Sequence, residues 1–352
     1  MQKSWGLGLA AVAVALSLTA CAPSSGGASA TPTETKQLTV VVHDSFNVSQ
    51  PLLDRFKAET GYTVSIAKSG DAGGMTNKLI LTKDAPLGDA VYGIDNTFAG
   101  RALAGDILEP YESPNYPKNT PDLSADTSER LTPIDFGDVC VNADKQWFAA
   151  KKVAVPATLD DLAKPEYKDL LVVENPASSS PGMAFLAATV GAKGADGYLD
   201  YWGQLKSNGV KVAKDWETAY NTEFSGSSGK GSRPLVVSYA TSPAYEVPDG
   251  GGQPPTEALL QTCFRQVEYA GVLKGAKNPV GAQKFIDWML SADVQADIPE
   301  QMYMYPAVRD TKLPEAWQKY APLAEKPWTV PAGDFSNNRD SWIAAWTAKV
   351  VG

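Results

Sequence analysis

The chain has a single histidine, His43, in 352 residues. A zinc site built on several histidines and the helical HExxH arrangement are therefore excluded. No GxSxG elbow surrounds any serine, so a Ser-His-Asp hydrolase would have to join His43 to Ser178, Ser179 or Ser180 outside that frame. The run "SGSSGKGS" around Lys230 lacks the GxxxxGK[ST] spacing of a phosphate loop. Beyond the first twenty residues no segment is apolar for long enough to span a bilayer. Basic residues are in deficit as well, 31 Lys+Arg against 40 Asp+Glu. That balance argues against a nucleic-acid partner and is compatible with a cationic ligand.

What is present begins with an export signal. Lys3 precedes an apolar run from Gly6 to Ala20, and Leu18-Thr19-Ala20-Cys21 matches the bacterial lipobox. Residues 1–20 read as a lipoprotein signal peptide, with Cys21 as the lipidated N-terminus that anchors the chain outside the cell membrane. An ordinary signal peptide followed by a chance cysteine is the alternative. Residues 21–36 have no apolar content to bury and read as a disordered tether. The rest is long enough for two lobes. Cys140 and Cys263 are then an even pair in an oxidising compartment, on the strand-like runs "FGDVCVN" and "LLQTCFRQVEYAGVL". A disulfide and two buried thiols both fit that pattern.

The order "QLTVVVHDSF", "QPLLDRFKAETG", "YTVSIAKSGD", "GGMTNKLILTKDAP", "GDAVYGIDN" reads β-α-β-α-β. It predicts a parallel sheet with ligand-facing groups at the strand carboxyl ends, where His43, Asp44, Asp71, Asp95 and Asn96 fall. A loop from Tyr111 to Arg130 and a strand, "LTPIDFGDVCVNADK", lead to a second α/β lobe. There "LLVVENPASSSPGMAFLAATVG", "VKVAKDWETAY" and "RPLVVSYATSPAY" each run from strand into polar turn. Pro248 to Thr256 reads as a mobile loop. The chain returns through "CFRQVEYAGVLKG" to an amphipathic helical stretch, "NPVGAQKFIDWMLSADVQADI", and a largely helical remainder. The fold class is α/β with two lobes, crossed more than once by the chain, and a ligand cleft between them.

Three serines before Pro181 suit the first turn of a helix, where hydroxyls and free N–H groups hold an anion or a ligand hydroxyl, or where Ser180 simply caps. Trp216, Tyr239, Tyr245, Tyr303 and Tyr305 occupy other strand ends. With acids such as Asp71 and Asp215 nearby, they fit a cage for a flat cation.

"VVHDSF", "GIDNTFA", "ENPASSSPG", "DWETAY", "LVVSYATSPAY", "QKFIDWML" and "MYP" follow one another as in the thiamine-binding proteins of bacterial ABC importers. The chain resembles that family over nearly all of its length after the leader. "SYATSPAY" and "DWETAY" are the most specific matches, while "GIDN" and "ENP" also occur in iron-binding relatives. The resemblance implies a two-lobed type II periplasmic-binding-protein fold, with lobe 1 over residues 37–136 and 266–300 and lobe 2 over residues 137–265 and 306–352. It implies ligand contacts from Tyr239, Tyr245 and Trp216, with Tyr245 facing the cleft and Tyr239 on its floor. Ser179 would meet the hydroxyethyl or phosphate end, and Asp71 the aminopyrimidine edge. Tyr303 stands where the family often has tryptophan, and His43 where tyrosine is common. A further tryptophan that some members carry just after "DSF" has no counterpart in "NVSQP". The family also sets "FGDVCVN" beside "TCFRQVEY" at the hinge, which implies a Cys140–Cys263 disulfide.

The expected function is capture of thiamine or a thiamine phosphate by a monomeric, non-enzymatic lipoprotein, without cofactor or metal. Its partners would be an ABC permease and the cytoplasmic ATPase of that permease. The rival on the same fold is a ferric-iron binder using Tyr303 and Tyr305, whose spacing on a strand would point both phenols one way. A secreted hydrolase built on His43 is the third reading.

Overall fold

The computed structural model describes residues 35–352 except 118–122, 125–126 and 229. The signal peptide, Cys21 and all but the last two residues of the expected tether lie outside the described residues. Among those described, no helix is long and apolar enough to cross a membrane.

The valine-rich segment Gln37–Val42 (β1) lies in parallel between Thr63–Lys68 (β2) and Ala90–Asp95 (β3). Helices Gln50–Thr60 and Ala72–Leu81 make the crossovers. The first stops at Gly61, whose φ of 78° is the left-handed cap that glycine adopts without steric cost. After Leu108–Glu109 (β4) and the long Thr132–Asp144 (β5) come Leu171–Glu174 (β6), Lys211–Ala213 (β7) and Leu235–Tyr239 (β8). Thr256–Leu273 (β9) and Tyr305–Pro306 (β10) complete the set. The sheet order is β2-β1-β3-β9-β5-β8-β6-β7, with β4 on β9 and β10 on β5. Two parallel groups, β2-β1-β3 and β8-β6-β7, are thus joined through the antiparallel pair β5 and β9. In both groups the carboxyl ends of the strands open toward one region, the place where such sheets bind ligands.

Every residue of β5 is buried, including Asp135, Asp138, Asn142 and Asp144. Such a strand needs partners for its polar groups. Asp138 pairs with Arg265 and accepts from the Ala324 N–H at 2.7 Å. The Asn142 amide donates to the Tyr239 carbonyl at 3.0 Å, and Asp144 caps the helix Lys145–Lys151.

The β5–β9 ladder changes register where Val139 faces Phe264 but Val141 faces Leu259. Residues 260–263 of β9 therefore stand against Cys140 alone, a β-bulge that bends and twists the pair. The expected Cys140–Cys263 disulfide closes this bulge. The Val141 N–H donates to the Thr262 hydroxyl at 2.9 Å beside it. A native disulfide typically contributes about 2–4 kcal/mol. Replacing both cysteines by alanine is expected to lower the calorimetric melting temperature by roughly 4–16 °C, from about 2–4 °C per kcal/mol in larger domains. An unchanged melting temperature would show the bond to be energetically idle.

Several segments fold differently from their sequence reading. "SYATSPAY" leaves β8 not through a plain turn but through a short helix, Ser242–Tyr245, because Pro243 presets a first helical turn. "KDWETAY" likewise forms a helical turn, Trp216–Thr218, capped by Asp215 onto the Thr218 N–H at 2.9 Å. The single amphipathic stretch expected after β9 is two helices, Pro279–Met289 and Ala292–Gln301, divided at Leu290-Ser291. Near the C-terminus, loops separate helices Glu315–Tyr320 and Ala332–Trp346. The second buries Trp346 edge-on against Trp202 of the long helix Ser180–Ser207.

Candidate functional site

A cavity of about 510 Å³ lies where the two sets of strand ends meet, within the range that holds small-molecule ligands. His43, Asp71, Trp216, Tyr239, Tyr245 and Tyr303 all line it. Of the other residues singled out in the sequence, Asp44, Asp95, Asn96, Ser178, Ser179, Asp215 and Tyr305 do not.

One wall is aromatic. Asp215 starts the turn that carries Trp216, and Tyr220 follows four residues later, so the two rings stack at 5.1 Å and 17°. The Trp216 indole N–H donates to the Ser238 hydroxyl at 2.9 Å, which fixes the ring plane. Across from it Tyr245 is 56% exposed and meets Tyr303 edge-on, with ring centroids 4.6 Å apart. Tyr239 sits deeper, edge-on to Trp216, and its hydroxyl accepts from the Gln266 amide at 3.3 Å. One helical turn between Tyr239 and Tyr245 thus sends the first to the floor and the second to the open side.

The floor is an ionisable network. The His43 Nε2 atom lies 3.7 Å from Glu268. Burial by itself lowers the imidazole, but Glu268, helped by Asp71 and Asp44, outweighs it and holds His43 above its ordinary value. The Tyr92 hydroxyl bridges two carboxyl groups, 2.8 Å from Glu268 and 2.5 Å from Asp135, while the Gln266 amide donates to Glu268 at 3.0 Å. Burial first, and the Glu268 charge second, push Asp135 well above the carboxylate range. Glu268 is also pushed up by burial, yet the His43 charge prevails and holds it low. Of the two carboxyl groups, Glu268 is the one that faces His43. Gly93 makes room for this arrangement: a Cβ there would come within 2.2 Å of the His43 ring, and its φ of 96° suits glycine.

Asp71 caps the helix Ala72–Leu81 with one oxygen, Oδ1, accepting from Ala72 N at 2.8 Å. The other, Oδ2, is buried and makes no hydrogen bond within 3.5 Å, although the Ser179 hydroxyl and the Trp216 backbone N–H lie near the carboxylate. Burial raises its pKa, against the Ser179 hydroxyl and backbone N–H groups beside it. The next two N–H groups, of Gly73 and Gly74, cross the cleft to the Ser178 carbonyl at 3.0 and 3.2 Å. Ser180, not Ser179, reaches the cavity, and its hydroxyl donates to Asp95. Burial lifts the Asp95 pKa to about 6 despite that bond and those from Thr97. Ser179 is the helix cap, turned inward toward Gly182 and fully buried. Asp215 lies beside the cavity, but it caps a helix and pairs with Lys214 at 3.1 Å.

Of the pair Tyr303 and Tyr305, only Tyr303 lines the cavity. Tyr303 has a φ of 55°, so the alternation of a strand does not apply to it. Tyr305 stacks on Phe136, and its hydroxyl donates to the Ala321 carbonyl. Among the described residues no group of three or more His, Cys, Asp or Glu side chains could hold a metal ion.

Sequence reading missed Tyr220, Glu268, Glu217 and Glu300 as lining residues. Tyr220 had a signal, one helical turn after Trp216. Gln266 and Glu268 also had one, as polar residues at a spacing of two inside an apolar strand.

Residues 86–329 match the family model of the bacterial extracellular solute-binding proteins. A thiamine-binding periplasmic protein of Brucella melitensis is 29% identical over 320 residues, 89% of this chain and 91% of that one. The solved structure of a periplasmic thiamin binding protein superposes with a TM-score of 0.79 at 25% identity, covering 89% of this chain and 96% of the other. A ferric binding protein from Campylobacter jejuni shares the fold, with a TM-score of 0.72 at 16% identity over 89% and 99% of the two chains. The fold is the two-lobed type II periplasmic-binding-protein fold, with its cleft between the lobes. The chain belongs to the bacterial extracellular solute-binding proteins and is a binding protein rather than an enzyme.

Proposed function

We propose that this chain captures thiamine in the interlobe cleft and delivers it to an ABC permease driven by a cytoplasmic ATPase. Thiamine joins a flat thiazolium cation to an aminopyrimidine that offers an exocyclic amine. The observation that carries the reading is one cavity combining aromatic walls, Trp216 against Tyr245 and Tyr303, with the buried Asp71 oxygen that makes no hydrogen bond. A cation over an aromatic face contributes about 2 kcal/mol or more when desolvated. A buried carboxylate oxygen without a hydrogen bond favours a ligand that brings a donor. The likeness to thiamine-binding relatives over most of both chains points the same way.

In this reading His43 and Tyr239 form the floor, and Ser180 takes the part first given to Ser179. Lobe 1 comprises residues 37–136 with 266–300, and lobe 2 residues 137–265 with 306–352. The protein works as a monomer, held at the outer face of the membrane by lipidated Cys21. A ferric-iron reading draws on the shared fold of iron-binding proteins. It lacks its phenol pair, because only Tyr303 lines the cavity and the Tyr305 hydroxyl is committed to Ala321.

Isothermal titration of the purified chain decides between them. One thiamine site with a micromolar or tighter dissociation constant is expected. No heat with thiamine, together with a tyrosinate-iron colour on adding ferric citrate, would replace this reading with the iron one.

A further inference from the structure

Resting on the two-lobed cleft of the reading above, we propose that the C-terminal helix Ala332–Trp346 is an interlobe latch, with Arg339 as the positioning residue that holds the cleft closed. The end of this helix is rooted in lobe 2, where Trp346 lies edge-on to Trp202 with ring centroids 5.4 Å apart. Its middle reaches lobe 1 instead. Arg339 is buried, donates from Nε to the Thr97 carbonyl at 3.0 Å and sets its guanidinium 4.3 Å over the Phe98 ring. Asp340 pairs with Arg339 at 2.7 Å and with Arg101 of lobe 1 at 3.0 Å. Arg101 in turn donates to the Asn77 side-chain oxygen at 2.7 Å.

Exposed ion pairs such as Arg101–Asp340 contribute little, so the buried Arg339 carries the contact. A guanidinium gives up its water only where its charge and donors are met by other groups. Here Thr97 and Phe98, which help to meet them, belong to the opposite lobe.

The turn that Arg339 grips, at the end of β3, is one that the cleft also uses. Asp95 accepts from the Thr97 N–H and hydroxyl, both at 2.6 Å, and from the Phe98 N–H at 3.2 Å. From the cleft side the Ser180 hydroxyl donates to the same carboxylate. Phe98 also backs Gly73, whose N–H donates to the Ser178 carbonyl at 3.0 Å. Lobe 2 thus holds one turn of lobe 1 from two sides, through Ser180 within the cleft and Arg339 outside it. Arg339 does not line the cavity, so it acts on a ligand only through closure. A contact made only in the closed form raises the population of that form and slows opening.

A reversible crosslink tests the latch. A Cβ on Gly100, in the lobe 1 helix Ala99–Ala104, would lie 3.6 Å from the Ser336 Cβ on the latch helix. That spacing falls within the span of about 3.5–4.5 Å that a disulfide bridges. The full chain carrying Gly100→Cys and Ser336→Cys is compared oxidised and after mild reduction that spares the buried Cys140–Cys263 bond. By stopped-flow tryptophan fluorescence, the oxidised chain is expected to take up and release thiamine at least about tenfold more slowly than the reduced chain. Without ligand, small-angle scattering should give the oxidised chain the smaller radius of gyration. Arg339→Gln should release thiamine about threefold or more faster than the wild type with uptake unchanged, and Arg339→Lys, which keeps the charge, should fall between. Equal exchange rates and equal radii in the oxidised and reduced chains would overturn the latch while leaving the thiamine reading intact. Release from Arg339→Gln at the wild-type rate would overturn the role of Arg339. If neither form binds thiamine, the ligand reading fails and the radii alone decide the latch.

Discussion

Replacing Trp216 by alanine is expected to weaken thiamine binding by about a hundredfold or more. The ring is held on one side by Tyr220 at 5.1 Å and at its edge by the Ser238 hydroxyl, so its remaining surface is offered to the cavity in a fixed plane. The variant loses the cation–π attraction, about 2 kcal/mol or more when desolvated, and the apolar contact of a stacked ring. A hundredfold loss corresponds to about 2.7 kcal/mol. Trp216 belongs to a small satellite cluster with Tyr220 and Phe224 rather than to the main core, so the melting temperature should move little. Trp216→Phe keeps a π-face and should recover part of the affinity. An alanine variant that binds within threefold of the wild type would place the ligand elsewhere.

Gly73→Ala is expected to weaken binding at least tenfold, whereas Gly74→Ala should bind as the wild type does. A Cβ at Gly73 would lie 2.5 Å from the Phe98 ring and 2.8 Å from the Ser178 carbonyl across the cleft. Phe98 is itself buried and covered by the Arg339 guanidinium at 4.3 Å, so it has little freedom to yield. The easier escape is for the Ser178 loop to withdraw, which opens the cleft. A Cβ at Gly74 meets nothing within 4 Å. Both substitutions gain helix propensity by similar amounts, about 1 kcal/mol, so neighbouring positions separate closure from helix stability. Equal affinities for the two variants, measured by titration, would remove the Gly73–Ser178 contact from the binding mechanism.

The parts of the fold written in local pattern were legible in the sequence. The alternation of apolar strand and polar end from Gln37 to Asn96 placed His43, Asp71 and Asp95 at strand carboxyl ends, and they lie there. What local pattern cannot carry is the pairing of distant strands. The register shift that seats the disulfide depends on Leu259 and Phe264 choosing partners in β5, more than a hundred residues away.

In the site, aromatic residue types were readable and their directions were not. A one-residue uncertainty at a helix start exchanges an inward cap, Ser179, for a cavity hydroxyl, Ser180. Tyr303, with its left-handed backbone, lies outside the strand that holds Tyr305, so the period-two spacing does not apply to the pair. Glu268 was hidden for another reason. A carboxylate in an apolar strand declares a partner but not its name, and that partner, His43, comes from the opposite end of the chain.

The most direct test of the account is a crystal structure of the chain grown with thiamine. One thiamine is expected in the interlobe cavity, its exocyclic amine within hydrogen-bond distance of Asp71 and a ring against Trp216, with the Gly73–Ser178 contact closed. Thiamine bound outside this cavity, or a thiamine-free cleft with iron on Tyr303, would contradict it.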